Sequence, residues 1–483
     1  MNFLSASRAS AVSPPGLHYA IDVRLDPLRQ RLTGRATIGY RSGADSALPF
    51  IYLHAYPNAF RGPHTILGRE GERWGEDYAL RFASDRERGW MTMDSVFADG
   101  LPASLTLDET VARVDLPHPL EPDDSVTLAL RFEVQVPKPF NRFGHVGEAY
   151  SVGQWYPKVA VYDDLGWHAD PYHYFAEFYG DYGTFDVAIT LPDRYWVGAT
   201  GVLEGAEGGD NEIPLADAEM PGDSVTVAIR CVPADSLLGQ WPQIKLEIEH
   251  DLSPARGGRT QDPLGVTRES GAVVRIPRGA PVHYAYRWRS SKEDSREEAD
   301  EAGRAGPLRC VIASRDTAIV DTLRALAPQS APGDSASPSL KTLRFRAERV
   351  HDFAWVACPD YVRADTTVLG ISIRALAFRD DQRLWSGQKA IVASAIEFMS
   401  REVGPYIWPS FTSAEAYSGG GAMEYPMLIT NEPDLPSSWL ELLDLTIAHE
   451  LAHNWFYGML GSDERAFPWL DEGFTEYVEH RYA

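Results

Sequence analysis

Cysteine is nearly absent. Three residues in 483, Cys231, Cys310 and Cys358, stand far apart and are odd in number, so they supply neither a disulfide framework nor a Cys-type metal site and read as incidental thiols. Positive charge is also in deficit. Against 69 Asp and Glu there are 45 Lys and Arg, a formal charge of −24, which makes nucleic acid an unsuitable partner. No segment reaches eighteen apolar residues, so no transmembrane helix is expected. Residues Met1 to Pro15 lack the basic stretch and long apolar run of an export signal, and the chain as written is expected in the cytoplasm.

Turn-forming residues, by contrast, are plentiful. With 40 Gly and 34 Pro in a chain too long for one core, two or three domains are expected. Apolar and polar residues alternate along Leu17 to Asp26 and Arg31 to Tyr40, and further strands are expected at Phe50 to Leu53, Ser125 to Val136, Phe185 to Leu191 and Lys341 to Ala347. The first two hundred residues therefore predict an all-β sandwich after a tail at 1–16. An elaboration of this domain spans about 202–340. It carries the charge run Ser291 to Glu298, the Pro/Ser-rich stretch Pro328 to Pro338 and one expected helix, Asp316 to Leu326. From Asp380 onward the pattern changes to a helix at Trp385 to Val403, stopped by Gly404-Pro405, and a strand at Phe411 to Ala416.

Near the end stands His449-Glu450-Leu451-Ala452-His453, followed by Trp469-Leu470-Asp471-Glu472-Gly473. Two His at i and i+4 share a helix face and can each give a nitrogen to one Zn²⁺, with Glu450 beside the metal as general base toward a water. A catalytic zinc takes three protein ligands and keeps one position open, which makes Glu472 the candidate third ligand. A Ser cap and apolar residues at helical intervals over Ser437 to Ile447 predict the helix that carries both His, and Glu472 opens a segment that continues as a second helix to Glu479. Glu476 and Glu479, four and seven residues past Glu472, share its face and are candidates to orient a ligating His from behind.

The spacing of His449, Glu450, His453 and Glu472 resembles that of the gluzincin zinc metallopeptidases of the aminopeptidase N family, which includes the leukotriene hydrolases. Gly420-Gly421-Ala422-Met423-Glu424-Tyr425 resembles the exopeptidase motif of the same family, with Tyr425 where that pattern has Asn. The resemblance implies that Glu424 binds the free α-amine of a peptide, that Gly421 and Ala422 pair their backbone with it, and that Gln154 reaches the amine from the β domain. The aromatic density from Gln154 to Trp167 is otherwise core packing. Segments Tyr56 to Phe60, Gln154 to Lys158 and His351 to Trp355 also resemble family signatures.

The implied architecture is multidomain: a β-rich N-terminal domain over 17–379, then the first part of an α/β thermolysin-like zinc peptidase domain over 380–483. In the family a tyrosine and a helical domain follow, beyond Ala483 in this numbering. Tyr477 and Tyr482 turn away from the ligand face and are not expected to take that tyrosine's role. The expected activity is that of a zinc aminopeptidase on peptides with a free N-terminal amine. An epoxide hydrolase on the same site and a non-catalytic scaffold are the alternatives, although a scaffold would be expected to have lost a ligand or Glu450. Bacterial relatives are often exported, which makes a periplasmic location the alternative to the cytoplasm.

Overall fold

The computed structural model describes residues 16–74, 79–175, 177–207, 339–382, 384–419, 421–432 and 443–483, and five strands between Val225 and Ala313. Alternation in the sequence becomes the two faces of a pleat. Along Leu17–Asp26 the residues Leu17, Tyr19, Ile21, Val23 and Leu25 are buried and those between them are not. Its register against Arg31–Arg41 sets Tyr19 opposite Ile38 and Ile21 opposite Ala36, so two apolar rows meet on one face.

These strands are central in an eight-stranded sheet of order Val202–Glu207, Leu340–Val350, Gly183–Pro192, Leu17–Asp26, Arg31–Arg41, Ser125–Gln135, Trp90–Ala98 and Leu101–Pro102. Neighbours run antiparallel except Leu17–Asp26 with Gly183–Pro192, which are parallel. Two four-stranded sheets complete the β-rich part. One holds Trp196–Ala199, Trp355–Cys358, Ala149–Val152 and Phe143–Val146, and the other Lys158–Val159, Leu48–His54, Val111–Leu120 and Ser104–Asp108. Aromatic rings fill the core: Tyr19 stacks on Phe185 at 4.5 Å, Tyr156 meets Tyr19 edge-on at 5.3 Å, and Trp155 meets Trp355 at 6.2 Å. Trp155 and Tyr156 are thus packing residues, as their density in the sequence suggested.

The second part is α/β. Tyr361–Val368 and Ile371–Phe378 form a hairpin whose two-residue turn, Leu369-Gly370, has positive φ at both positions. Ser410–Glu415 then adds in parallel to Ile371–Phe378, and Leu428–Asn431 in parallel to Ser410–Glu415. The sheet therefore begins at Tyr361, ahead of the boundary expected near residue 380. The helix Gln388–Glu402 packs against this sheet and against the helix Leu443–Phe456, which in turn packs on Pro468–Tyr482.

Both parts lie in one compact unit, Met1–Asn211 with Pro338–Ala483, and Glu212–Ser337 forms a unit of its own. The latter enters between Val202–Glu207 and Leu340–Val350, which pair with each other. Within it, Val225–Pro233 pairs with Ala272–Ile276 and with Leu308–Ala313, a register that sets Cys231 opposite Cys310 despite their separation in sequence. The charge run at 291–298, the stretch at 328–338, the helix expected at 316–326, Gly420 and the Ser-capped start of the zinc-motif helix lie outside the described residues. Among the described residues no helix is long and apolar enough to cross a membrane.

Candidate metal centre

The helix Leu443–Phe456 buries Ile447, Ala448, Leu451, Ala452 and Trp455, and this apolar face fixes its rotation. With that rotation His449 and His453, one turn apart, face the helix Pro468–Tyr482. That second helix opens on Pro468, four residues ahead of Glu472, where the sequence alone placed its start. Proline suits a first turn because its missing N–H has no intrahelical partner there.

The two helices bring the three expected ligands to one point. His449 Nε2 and His453 Nε2 are 3.2 Å apart, and Glu472 Oε2 is 3.3 Å from the first and 3.8 Å from the second. Ligand atoms at tetrahedral corners 2.0–2.1 Å from a zinc ion stand roughly 3.3–3.4 Å apart, so the donor set fits zinc in spacing and in chemistry.

The far nitrogens are held by carboxylates. Glu479 Oε2 lies 2.9 Å from His449 Nδ1, and Asp471 Oδ1 pairs with His453 Nδ1, which also lies 3.3 Å from Thr475 Oγ1. A carboxylate on Nδ1 fixes the tautomer and turns Nε2 toward the metal position. Glu479 thus stands where the sequence suggested. Glu476 is exposed and pairs instead with His480 at 3.8 Å. Local spacing in the sequence does not single out Asp471, which is fully buried and whose other oxygen has no hydrogen-bond partner among the described residues.

The site is rich in negative charge. Burial disfavours charge on both imidazoles, yet the Glu472 contact on His449 and the Asp471 contact on His453, with Glu450 beside both, lift them to about 9 and about 10. Such a cluster favours a cation. Glu450, between the two His and 9% exposed, is pushed up to about 7 by burial, with the imidazoles opposing and Glu472 adding to the shift.

The Gly-rich segment lies at the sheet's edge, where Met423 exchanges two 2.9 Å backbone hydrogen bonds with Thr430. The zinc-motif helix holds it in place: Asn454 Oδ1 accepts from the Met427 N–H at 2.9 Å and stabilises the left-handed backbone there. Glu424 is consequently buried, with an oxygen within 4.8 Å of ligand atoms of His453 and Asp471. Gly421 is exposed with positive φ and its carbonyl accepts from Ser418, while Ala422 is half-buried.

From the β part, Gly153 lies so close to Tyr425 that a Cβ on it would stand 1.8 Å from the hydroxyl, and Tyr425 donates to the Arg142 carbonyl at 3.3 Å. The next residue, Gln154, is buried with positive φ. Its amide nitrogen donates to Asp352 and its oxygen has no partner among the described residues. Asp352 also accepts from Tyr156 at 2.9 Å and Lys158 at 3.1 Å. Tyr477 is exposed and Tyr482 packs on Phe398, so neither faces the ligands.

Comparison with known proteins gives partial matches. The chain matches no family model. It is 29% identical over 138 residues to leucine aminopeptidase 2 of Aspergillus clavatus, covering 26% of this chain and 22% of that protein. It is 34% identical over 89 residues to a leukotriene A-4 hydrolase homolog of Botryotinia fuckeliana, covering 18% and 14%. Both matches are similarities over part of the chain, to an aminopeptidase and to a leukotriene hydrolase homolog. The chain spans less than a quarter of the length of these relatives. Among solved structures, an M1 zinc metallopeptidase from Deinococcus radiodurans aligns with 97% of this chain and 71% of its own, at 15% identity and a TM-score of 0.48.

Proposed function

We infer that the chain carries the zinc centre of an aminopeptidase, with His449, His453 and Glu472 as ligands, Glu450 as general base and Glu424 as the acceptor of the substrate's α-amine. The observation that carries this reading is the convergence of His449 Nε2, His453 Nε2 and Glu472 Oε2 on one point, at separations of 3.2–3.8 Å. A zinc ion held there supplies a Lewis acid that polarises the scissile carbonyl and acidifies water. Glu450 takes a proton from the attacking water and returns it to the leaving amine. Asp471 and Glu479 keep both imidazoles in the ligating tautomer. Glu424 distinguishes a chain end from a chain middle, because an internal peptide would leave its buried carboxylate unpaired.

The test joins metal analysis to turnover. One zinc per chain is expected, falling away in His453→Ala, together with cleavage of an amino-acid amide and not of its N-acetyl derivative. Glu450→Gln should keep the metal and lose about 10²–10⁴ in rate. Unchanged zinc in His453→Ala, or unchanged turnover in Glu450→Gln, would overturn the assignment. An enzyme that opens an epoxide and leaves every amide intact would be the other hydrolase.

A further inference from the structure

In the β-rich part a cavity of about 490 Å³ is lined by Arg61, His64, Asp85, Arg88, Trp90 and Thr92. Its volume falls in the range of about 300–1,000 Å³ usual for small-ligand sites. The lining runs against the composition of the chain. Acidic residues outnumber basic ones by 69 to 45 overall, yet here two guanidinium groups and an imidazole meet a single carboxylate.

Local structure fixes these groups. The short 3₁₀ helix Tyr56–Arg61 ends on Arg61, whose Nε donates to Asn58 Oδ1 at 2.7 Å and whose Nη2 donates to the Met91 carbonyl at 3.2 Å. Among the described residues this guanidinium meets no carboxylate, and Nη1 is left for a ligand. The pleat of Trp90–Ala98 puts Trp90 and Thr92 on one face of the strand. Arg31, paired with Glu133 at 2.7 Å, holds its guanidinium 5.2 Å from the Trp90 ring centroid and steadies the indole. A Cβ on Gly62 would stand 3.3 Å from the His64 ring and 3.6 Å from Arg88 Cζ, so these two donor groups converge where a glycine leaves room. Arg88 is poorly matched within the protein. Its Nε is buried without a partner among the described residues, and its Nη1 reaches Asp85 at 3.3 Å, whose side chain is 98% exposed. An exposed pair of this kind contributes little, so an anion in the cavity displaces it readily.

The number of donors selects the anion. One guanidinium satisfies a carboxylate in a two-point contact, which would leave the second guanidinium and the imidazole without an acceptor. A phosphate monoester offers three free oxygens and a charge of about −1.5 to −2 at pH 7, enough to answer all three groups. We propose that this cavity binds a small phosphate monoester whose planar ring lies on the Trp90 indole, with Arg61, Arg88 and His64 donating to the phosphate and Thr92 at its edge. Trp90 then distinguishes an ester from inorganic phosphate, because only the ester brings a ring to cover it. The site is independent of the aminopeptidase reading.

Calorimetric titration of the zinc-loaded chain with phenyl phosphate, adenosine 5′-monophosphate, inorganic phosphate and benzoate decides the matter. At least one of the two esters should bind more tightly than inorganic phosphate and than benzoate. Binding of the nucleotide alone supports a nucleotide site, and binding of phenyl phosphate alone supports a site for simple aryl esters. Arg61→Gln and Arg88→Gln should each weaken the bound ester about ten- to a hundredfold. Trp90→Leu should remove its advantage over inorganic phosphate. Arg88→Gln should keep one zinc per chain and the parent's cleavage of an amino-acid amide, because Arg88 lies outside the metal centre. Failure of both esters to bind overturns the proposal, as does tighter binding of benzoate or equal binding of inorganic phosphate. Ester binding that is lost in His453→Ala and kept in Arg88→Gln would place the phosphate on the metal and overturn it too. Should Arg61→Gln fail to fold, Arg88→Gln carries the test, since Arg88 holds only the exposed Asp85.

Discussion

At the scale of the residue, the groups behind the ligands matter as much as the ligands. His453 is 2% exposed at its side chain and its Nδ1 meets Asp471, which is fully buried. Replacing Asp471 by Asn keeps the shape and removes the charge that fixes the imidazole. Zinc affinity, measured by competition with a chelator, should fall about 10–100-fold. The same competition on Glu476→Gln should show a much smaller change, because Glu476, though within 4.8 Å of a His449 ligand atom, is exposed and pairs with His480 at 3.8 Å. If both variants behaved alike, the orienting role of Asp471 would be wrong.

At the scale of the element, the site depends on how closely the β part approaches the Gly-rich segment. Gly153 leaves no room for a side chain: a Cβ there would overlap the Tyr425 hydroxyl at 1.8 Å. Gly153→Ala must push the segment carrying Glu424 away or displace the tyrosine, and overpacking of this kind costs about 1–3 kcal/mol. Removing the hydroxyl takes away the nearest overlap and leaves the ring carbon at 2.6 Å. Chemical denaturation should therefore show Gly153→Ala recovering part of its lost stability when combined with Tyr425→Phe. Additive losses in the double variant would mean that the two elements do not meet in this way.

At the scale of the whole molecule, two buried histidines contribute to the response to acid. His54 and His351 are buried in the β part, and burial, aided by the Lys158 charge, pushes each down to about 3. Both are neutral in the fold, whereas in the unfolded chain each takes up a proton near pH 6.5. Their contribution to stability is thus complete above about pH 6.5 and is lost as pH falls from there toward 3. Between those limits each bound proton removes about 1.4 kcal/mol per pH unit. Between pH 7 and pH 4 the slope of stability against pH in His351→Gln should differ from the parent's by one proton, in the direction of less loss on acidification. A slope equal to the parent's would show that His351 does not stay neutral in the fold.

Much of this was legible in the sequence because it depends on local spacing. The i, i+4 rule put His449 and His453 on one helix face whatever surrounds them, and alternation in Leu17–Asp26 and Arg31–Arg41 marked their buried sides. The position of Glu472 followed from the need for a third ligand. Only the tertiary structure decided the partners. Asp471 adjoins Glu472 but points about 100° away around the helix, so its contact with His453 depends on how two helices pack. Arg61 and Arg88 belong to separate segments, and nothing in the local sequence of either relates it to the other. Glu476 and Glu479 looked equivalent by periodicity. The packing of Pro468–Tyr482 on Leu443–Phe456 brought Glu479 into hydrogen-bond contact with His449 and left Glu476 exposed at the rim of the same cluster, because helical spacing fixes which residues share a face but not which edge of it meets a neighbour.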